Sequence, residues 1–345
     1  MRRYHETFRL WEYLLFTLVT LAVLCLCVCV GSVRIPLSDT LSYFAAKLTG
    51  DALPAGLVSS ILPIRLPRVL CVALTGTALS LAGAAMQGLL KNPLADGSTL
   101  GVSSGASLGA VIAIAFGVTL PSLPFAGTMG TAIIFAFASL LVILGLSYKL
   151  DRSLSTNTII LIGVIFSMFV SSIMSVIITF AADKVQRITF WTMGSLTRAG
   201  WKNIGLITLI VLAAAVFFRT QAQTLDGLML GEEAASTIGI NTFRCRLVYL
   251  LVLSVLTGAL VSVCGTIGFV GLIIPHVSRA IAGTAHRKLL SIAALSGGLF
   301  MLWVDAIARS LIPNTELPVG IFTALVGAPF FVYVMVRKKY GFGGN

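Results

Sequence analysis

The side chains that could do chemistry are few in this sequence, and their spacing argues against catalysis. Its three histidines, His5, His276 and His286, fall near the edges of apolar runs, where interfacial solvation accounts for them. No Ser, His and Asp arrangement suggests a nucleophile, and no G-x-x-x-x-G-K-[ST] segment offers backbone N–H groups to a phosphate, so the chain has no nucleotide loop of its own. The six cysteines lie inside or at the ends of apolar runs, except Cys245 beside Arg244 and Arg246, and none has metal-ligand spacing with a histidine. They read as small packing residues, and no disulfide framework is expected. Carboxylates inside apolar runs, the usual mark of an ion-coupled carrier, are nearly missing. Asp305 stands four residues before Arg309, which puts the two on one helical face where they can pair, and Glu316 follows in a connection. If this protein moves a solute uphill, the energy is expected from a partner.

One polar island breaks the apolar pattern. The stretch from Thr224 to Arg246, TLDGLMLGEEAASTIGINTFRCR, holds Asp226, Glu232 and Glu233, three of the 12 acidic residues in the chain. It reads as two short helices hinged at Gly231. Glu232 and Glu233 would fill the first turn of the second helix, where negative charge suits the helix dipole, and Gly239 would end it. Such a compact, self-capped element is suited to docking in a cleft of a partner.

The elements around this island are membrane spans. With 57% hydrophobic and 10% charged residues and a mean hydropathy of +1.01, the chain cannot coat a soluble globule. It reads as an all-α membrane protein, a single transmembrane domain over residues 1–345. A hydrocarbon core of about 30 Å takes roughly 20 apolar residues per helix. Ten runs are counted as spans against that length, the eighth of them only a short helix: Trp11–Gly31, Arg65–Leu90, Leu94–Val118, Phe125–Tyr148, Thr156–Ala181, Ile204–Phe218, Leu247–Cys264, Leu272–Gly283, Leu289–Leu311 and Pro318–Val336. The first is too long and cysteine-rich for a signal peptide and is expected to be retained. Leu37, Leu41, Phe44, Ala45 and Leu48 have the spacing of an interfacial amphipathic helix, Pro67 is expected in the first turn of span two, and a loop through Trp191 and Trp201 precedes span six. Gly97, Gly101, Gly105 and Gly109 would form one flat stripe on span three. Gly265, Gly268, Gly271 and Pro275 predict an unwound entry to span eight.

The formal charge of +12 belongs to the connections, where it orients the chain against the bilayer and implies no nucleic acid. Fifteen basic residues, among them Arg2, Arg3, Arg9, Lys338 and Lys339, fall on the side of the termini, and nine, including Arg65, Arg68, Arg198 and Arg309, on the other. Both termini and the polar island between spans six and seven, residues 224–240, are therefore expected in the cytoplasm.

Six collinear segments resemble one known family: RLPR (Arg65–Arg68), GAAMQGLLKNPLADGSTLGVSSGA (Gly83–Ala106), LSTNTIILIGV (Leu154–Val164), LGEEAASTIGI (Leu230–Ile240), GTIGFVGLIIPHVSR (Gly265–Arg279) and ELPVGIFTALVGAPFF (Glu316–Phe331). They look like the signatures of the FecCD permeases, subunits of ATP-driven importers for iron–siderophore, haem and cobalamin. The resemblance implies the type II ABC importer permease fold in a bacterial inner or plasma membrane, and a homodimer, or sometimes a heterodimer, enclosing the substrate path. Two separate ATPase subunits would bind ATP and Mg, leaving no cofactor in this chain. They would dock on Asp226, Leu230, Gly231, Glu232, Glu233, Ala234 and Gly239. An extracytoplasmic binding protein would meet Arg65, Arg68 and Arg309, and the cytoplasmic gate would fall on Asn92, Leu94, Ser155 and Thr156. An iron–siderophore complex is the expected cargo, with haem or cobalamin as the alternative; an ion-coupled secondary transporter is the alternative of another class.

Overall fold

The computed structural model describes residues 10–54, 56–97, 100–118, 126–197, 199–312 and 316–337. Arg2, Arg3, His5, Arg9, Arg198, Lys338, Lys339 and the expected span start at Phe125 lie outside them. Fourteen α-helices occupy the described residues: α1 (Leu10–Cys29), α2 (Leu37–Thr49), α3 (Leu57–Leu89), α4 (Val102–Phe116), α5 (Ala126–Leu150), α6 (Thr156–Phe180), α7 (Val185–Thr192), α8 (Trp201–Thr220), α9 (Ala222–Met229), α10 (Glu232–Thr237), α11 (Thr242–Cys264), α12 (Val270–Ala282), α13 (His286–Ser310) and α14 (Val319–Arg337). Six of them, α3, α5, α6, α8, α11 and α13, are long and apolar enough to cross a membrane. Shorter apolar helices lie within α1, α4, α12 and α14.

The central post is α3, which packs against α1, α8, α9, α11, α12 and α13. Small residues let its neighbours come close, as they do between membrane helices. A Cβ added at Gly76 would collide with the carbonyl of Gly297 on α13, and one at Gly83 with the carbonyl of Gly271 on α12. Around this post Leu62, Val69, Val72, Leu253, Leu256 and Leu302 are buried, while the apolar residues Leu161, Met168 and Phe169 of α6 face outward.

Three expectations need correction. The second span begins at Leu57, so Pro67 lies in the helix interior and not in its first turn. Pro63 and Pro67 are four residues apart, so the two bonds missing from the ladder fall on one face and tertiary packing carries the helix past them. The third span is shorter than its hydropathy suggests: Gly97 lies in a loop, Gly101 adopts φ 72 at the helix start, and α4 begins only at Val102. Pro93, Asp96 and Gly97 are turn-forming residues, and their local preference overrides the apolar pattern. Only Gly105 and Gly109 of the expected stripe are helical, and both abut α5, where a Cβ would meet Ser139 or the carbonyl of Thr131. The segment leading to Trp201 is not all loop, because α7 occupies part of it. The eighth span conforms to its reading, with non-helical residues 265–269 followed by α12.

Candidate functional site

The polar island folds as two short helices. α9 buries Ala222, Leu225, Gly227 and Leu228, and leaves Met229 and Leu230 exposed. Gly231 takes φ 114, a conformation that other residues rarely adopt, and turns the chain into α10. Glu232 and Glu233 lie in the first turn of α10. Ala234 is exposed and Ala235 is buried. Past the last turn, Gly239 (φ 84) donates to Ser236 O at 2.9 Å and Ile240 donates to Ala235 O at 2.9 Å. This paired closure satisfies carbonyls that the helix end would leave free.

Two polar contacts tie the island to the bundle. Asp226 Oδ1 accepts the backbone N–H of His286 at 3.0 Å and lies 2.6 Å from its Nδ1. His286 is 2% exposed, so its reading as a solvated interfacial residue is wrong: it opens α13 beneath α9, against Gly88 of α3. The second contact joins Glu232 to Arg246 of α11. Sequence counted Arg246 only as one more basic residue of a connection, yet its side chain is buried. Its spacing from Glu232, fourteen residues across a turn between two helices, leaves no periodic signal by which to find the pair.

The expected gate residues lie in two separate turns. Asn92 Oδ1 accepts the N–H of Leu94 at 2.9 Å, bending the chain after α3. Ser155 stands at the start of α6, with Thr156 as its first helical residue. The turn before them is organised by Asp151, which accepts from Ser153 N at 2.9 Å, Ser153 Oγ at 2.7 Å and Ser155 N at 3.0 Å. Hydrogen bonds from Ser155 and Ser153 hold the Asp151 carboxyl well below the usual carboxylate range.

At the other end of α3, Arg65, Arg68 and Arg309 converge, but they do not form an open basic surface: they are 7%, 7% and 3% exposed. Arg65 donates to the carbonyls of Val28 and Val33 at 3.0 and 2.9 Å, and Arg309 to those of Cys27 and Val30 at 3.0 and 2.8 Å. The two guanidiniums thus serve carbonyls at and just beyond the end of α1, where a helix needs acceptors met and positive charge is favoured. Asp305 lies between them and Arg68. It accepts from Arg309 Nε at 2.7 Å, the pairing expected from sequence, and from Arg68 Nη2 at 3.1 Å. Arg68 also reaches Glu316 at 2.5 Å. Glu316 in turn lines an open cavity of about 450 Å³ with Gln186, Arg187, Phe190, Trp191 and Asn203.

Comparison with known proteins gives this arrangement a context. The FecCD transport family matches residues 18–337. The chain is 39% identical over 314 residues to the uncharacterized ABC transporter permease protein YvrB of Bacillus subtilis, covering 90% of this chain and 89% of that protein. It is 35% identical over 337 residues to the vitamin B12 import system permease protein BtuC of Vibrio vulnificus, covering 97% and 96%. Against the hemin transport system permease protein HmuU of Yersinia pestis the identity is 37% over 283 residues, covering 81% and 83%. A solved structure of a metal-chelate type ABC transporter in an inward-facing conformation superposes with a TM-score of 0.79 at 30% identity, covering 93% of this chain and 97% of that one. A match over nearly the whole length, in sequence and in fold, makes the chain a multi-pass membrane permease of the ABC importer type, and it belongs to the FecCD transport family.

Proposed function

We propose that this permease carries a bulky metal chelate inward through a path between two copies of itself, driven by separate ATPase subunits that grip α9 and α10. Each copy crosses the bilayer ten times, with its termini and α9–α10 in the cytoplasm. The observation that carries this reading is the surface of the island: Met229, Leu230 and Ile238 are 46%, 69% and 59% exposed, beside Glu233, on an element anchored from behind by Asp226 and Glu232. An apolar, acid-rimmed knob on a fixed base suits a cleft in a partner that must push and pull on it. The ATPase supplies the ATP and Mg chemistry; this chain supplies the knob, the path and the gates at Asn92, Leu94, Ser155 and Thr156.

The relatives named for vitamin B12 and hemin, and the metal-chelate type of the superposed transporter, support a large chelate as cargo. An iron–siderophore complex belongs to the same class. On the opposite face we assign Arg65, Arg68 and Arg309 to docking of a binding protein. Because the three are buried, a partner carboxylate reaches Arg68 by replacing Glu316, whose side chain is 36% exposed.

The test is uptake into liposomes by the permease with its ATPase and binding protein, offered iron–siderophore, haem or cobalamin. ATP-dependent uptake of one of them is expected. Uptake by the permease alone, driven by an ion gradient without ATP, overturns the reading in favour of a secondary carrier. Docking is read separately through Leu230→Asp and Glu233→Arg, which are expected to abolish ATPase co-purification. Glu232 is unsuitable for that purpose because its reversal would also place two positive charges together at Arg246.

A further inference from the structure

Arg246 does more than hold Glu232. Its guanidinium reaches in two directions from a site only 2% exposed. Nη2 meets the Glu232 carboxylate on the first turn of α10. Nη1 donates to the carbonyls of Ser153 and Leu154 at 3.3 and 3.2 Å, in the turn that leads into α6. Nε is buried and finds no acceptor among the described residues.

The turn on the receiving side is an unusual one. Leu154 has φ 52, in the left-handed region that disfavours side chains with a Cβ, and its side chain is 2% exposed. Such a conformation persists only where its surroundings impose it. Here two anchors do so: Asp151 collects the N–H groups of Ser153 and Ser155 from one side, and Arg246 takes the carbonyls of Ser153 and Leu154 from the other. The residues immediately following are Ser155 and Thr156. Thr156 Oγ1 is buried without a partner among the described residues, like the idle Nε of Arg246.

We infer that Arg246 is a positioning residue for transport: it transmits displacement of α10 to the Ser153–Leu154 turn, and so to the start of α6. This rests on the importer reading above, in which the ATPases move α9–α10 and residues 155–156 gate the path. The chemistry suits the task. A planar guanidinium can hold a carboxylate with one nitrogen and carbonyls with another in a fixed relative geometry, so moving one partner moves the other. A guanidinium nitrogen left idle and buried, on a side chain that also holds a turn in a disfavoured conformation, leaves the contact room for a second arrangement. Coupling then requires no chain of contacts through the bundle, because the island and the turn share one side chain.

The experiment uses the permease assembled with its ATPase and binding protein in liposomes, and measures cargo moved per ATP hydrolysed. The probe is haem, cobalamin or a ferric siderophore, whichever the wild-type complex carries. In Arg246→Met, ATPase co-purification and hydrolysis are expected to persist while the ratio falls about tenfold, within the range usual for coupling between two sites. The exchanged pair Glu232→Arg with Arg246→Glu restores opposite charges but cannot donate to carbonyls, so the ratio is expected to stay low; recovery to the wild-type ratio would overturn the inference. Should Arg246→Met fail to assemble, Glu232→Ala provides the second measurement, since Glu232 is half-exposed and alanine offers Arg246 no acceptor. Hydrogen exchange of the amides of residues 153–155 is expected to change on addition of ATP in the wild type and to lose that response in Glu232→Ala. An equal response in both, or a wild-type ratio in Arg246→Met, refutes the role of Arg246 and leaves the importer reading standing. Absence of ATP-driven uptake by the wild-type complex removes both.

Discussion

Asp226 and His286 are joined twice, through the backbone N–H of His286 at 3.0 Å and through its Nδ1 at 2.6 Å, so one carboxylate oxygen holds both the start and the side chain of the residue that opens α13. Sixty residues of chain separate them. α9 is therefore fastened to a membrane helix that is distant in sequence, whatever holds its outer surface.

Removing that fastening has a measurable consequence. Asp226→Ala is expected to lower stability by about 1–3 kcal/mol, the usual effect of leaving buried donors without their acceptor. Thermal unfolding in detergent measures the loss, and Asp226→Asn, which keeps an acceptor oxygen, is expected to recover part of it.

The cluster at the other end of α3 responds unequally to loss of its two acids. Asp305→Ala leaves Arg309 buried beside no carboxylate and Arg68 with Glu316 alone, a change expected to lower stability by about 3–5 kcal/mol. Glu316→Gln disturbs a partly exposed pair, where less than about 1 kcal/mol is expected. Equal shifts in unfolding midpoint for the two variants would contradict this account.

Close helix crossings make a third test. A Cβ at Gly297 would run into Ser80 and the Gly76 carbonyl, whereas at Gly145 on α5 it would meet nothing within 4 Å. Gly297→Ala is expected to destabilise by about 1–3 kcal/mol through overpacking. Gly145→Ala is expected to stabilise by about 0.5–1 kcal/mol through helix propensity. Opposite signs in thermal unfolding are the result to look for.

The turn before α6 has its own pH signature. The carboxyl of Asp151 is depressed in the folded chain, so its contribution is complete above its unfolded pKa of about 3.9 and fades as pH falls towards the lower folded value. Protection of the Ser153 and Ser155 amides from exchange is expected to hold down to about pH 4 and to weaken below it. In Asp151→Asn that dependence should vanish.

Much of this was legible in the residue pattern. Apolar runs locate the long helices because lipid demands length, and the island declared its hinge through Gly231 and its end through Gly239, both of which need backbone that other residues resist. The Asp305–Arg309 pair followed from helical spacing. Contacts across the chain left no such trace: nothing local to Arg65 shows that it meets the carbonyls of Val28 and Val33, and nothing local to Arg246 or His286 shows which acid each finds. Span three was misread because hydropathy averages over Pro93, Asp96 and Gly97, whereas backbone geometry does not.

The uninterrupted length of α3 has a mechanical consequence. From Arg68 to Gly88 it extends about 30 Å at the usual helical rise, with the arginine cluster at one end and His286 at the other. Between them, Gly76 rests on Gly297, nearer the arginine end. A stiff rod pressed against a neighbour partway along is a lever with unequal arms, so a small tilt at the arginine end becomes a larger sweep in the opposite sense at the His286 end.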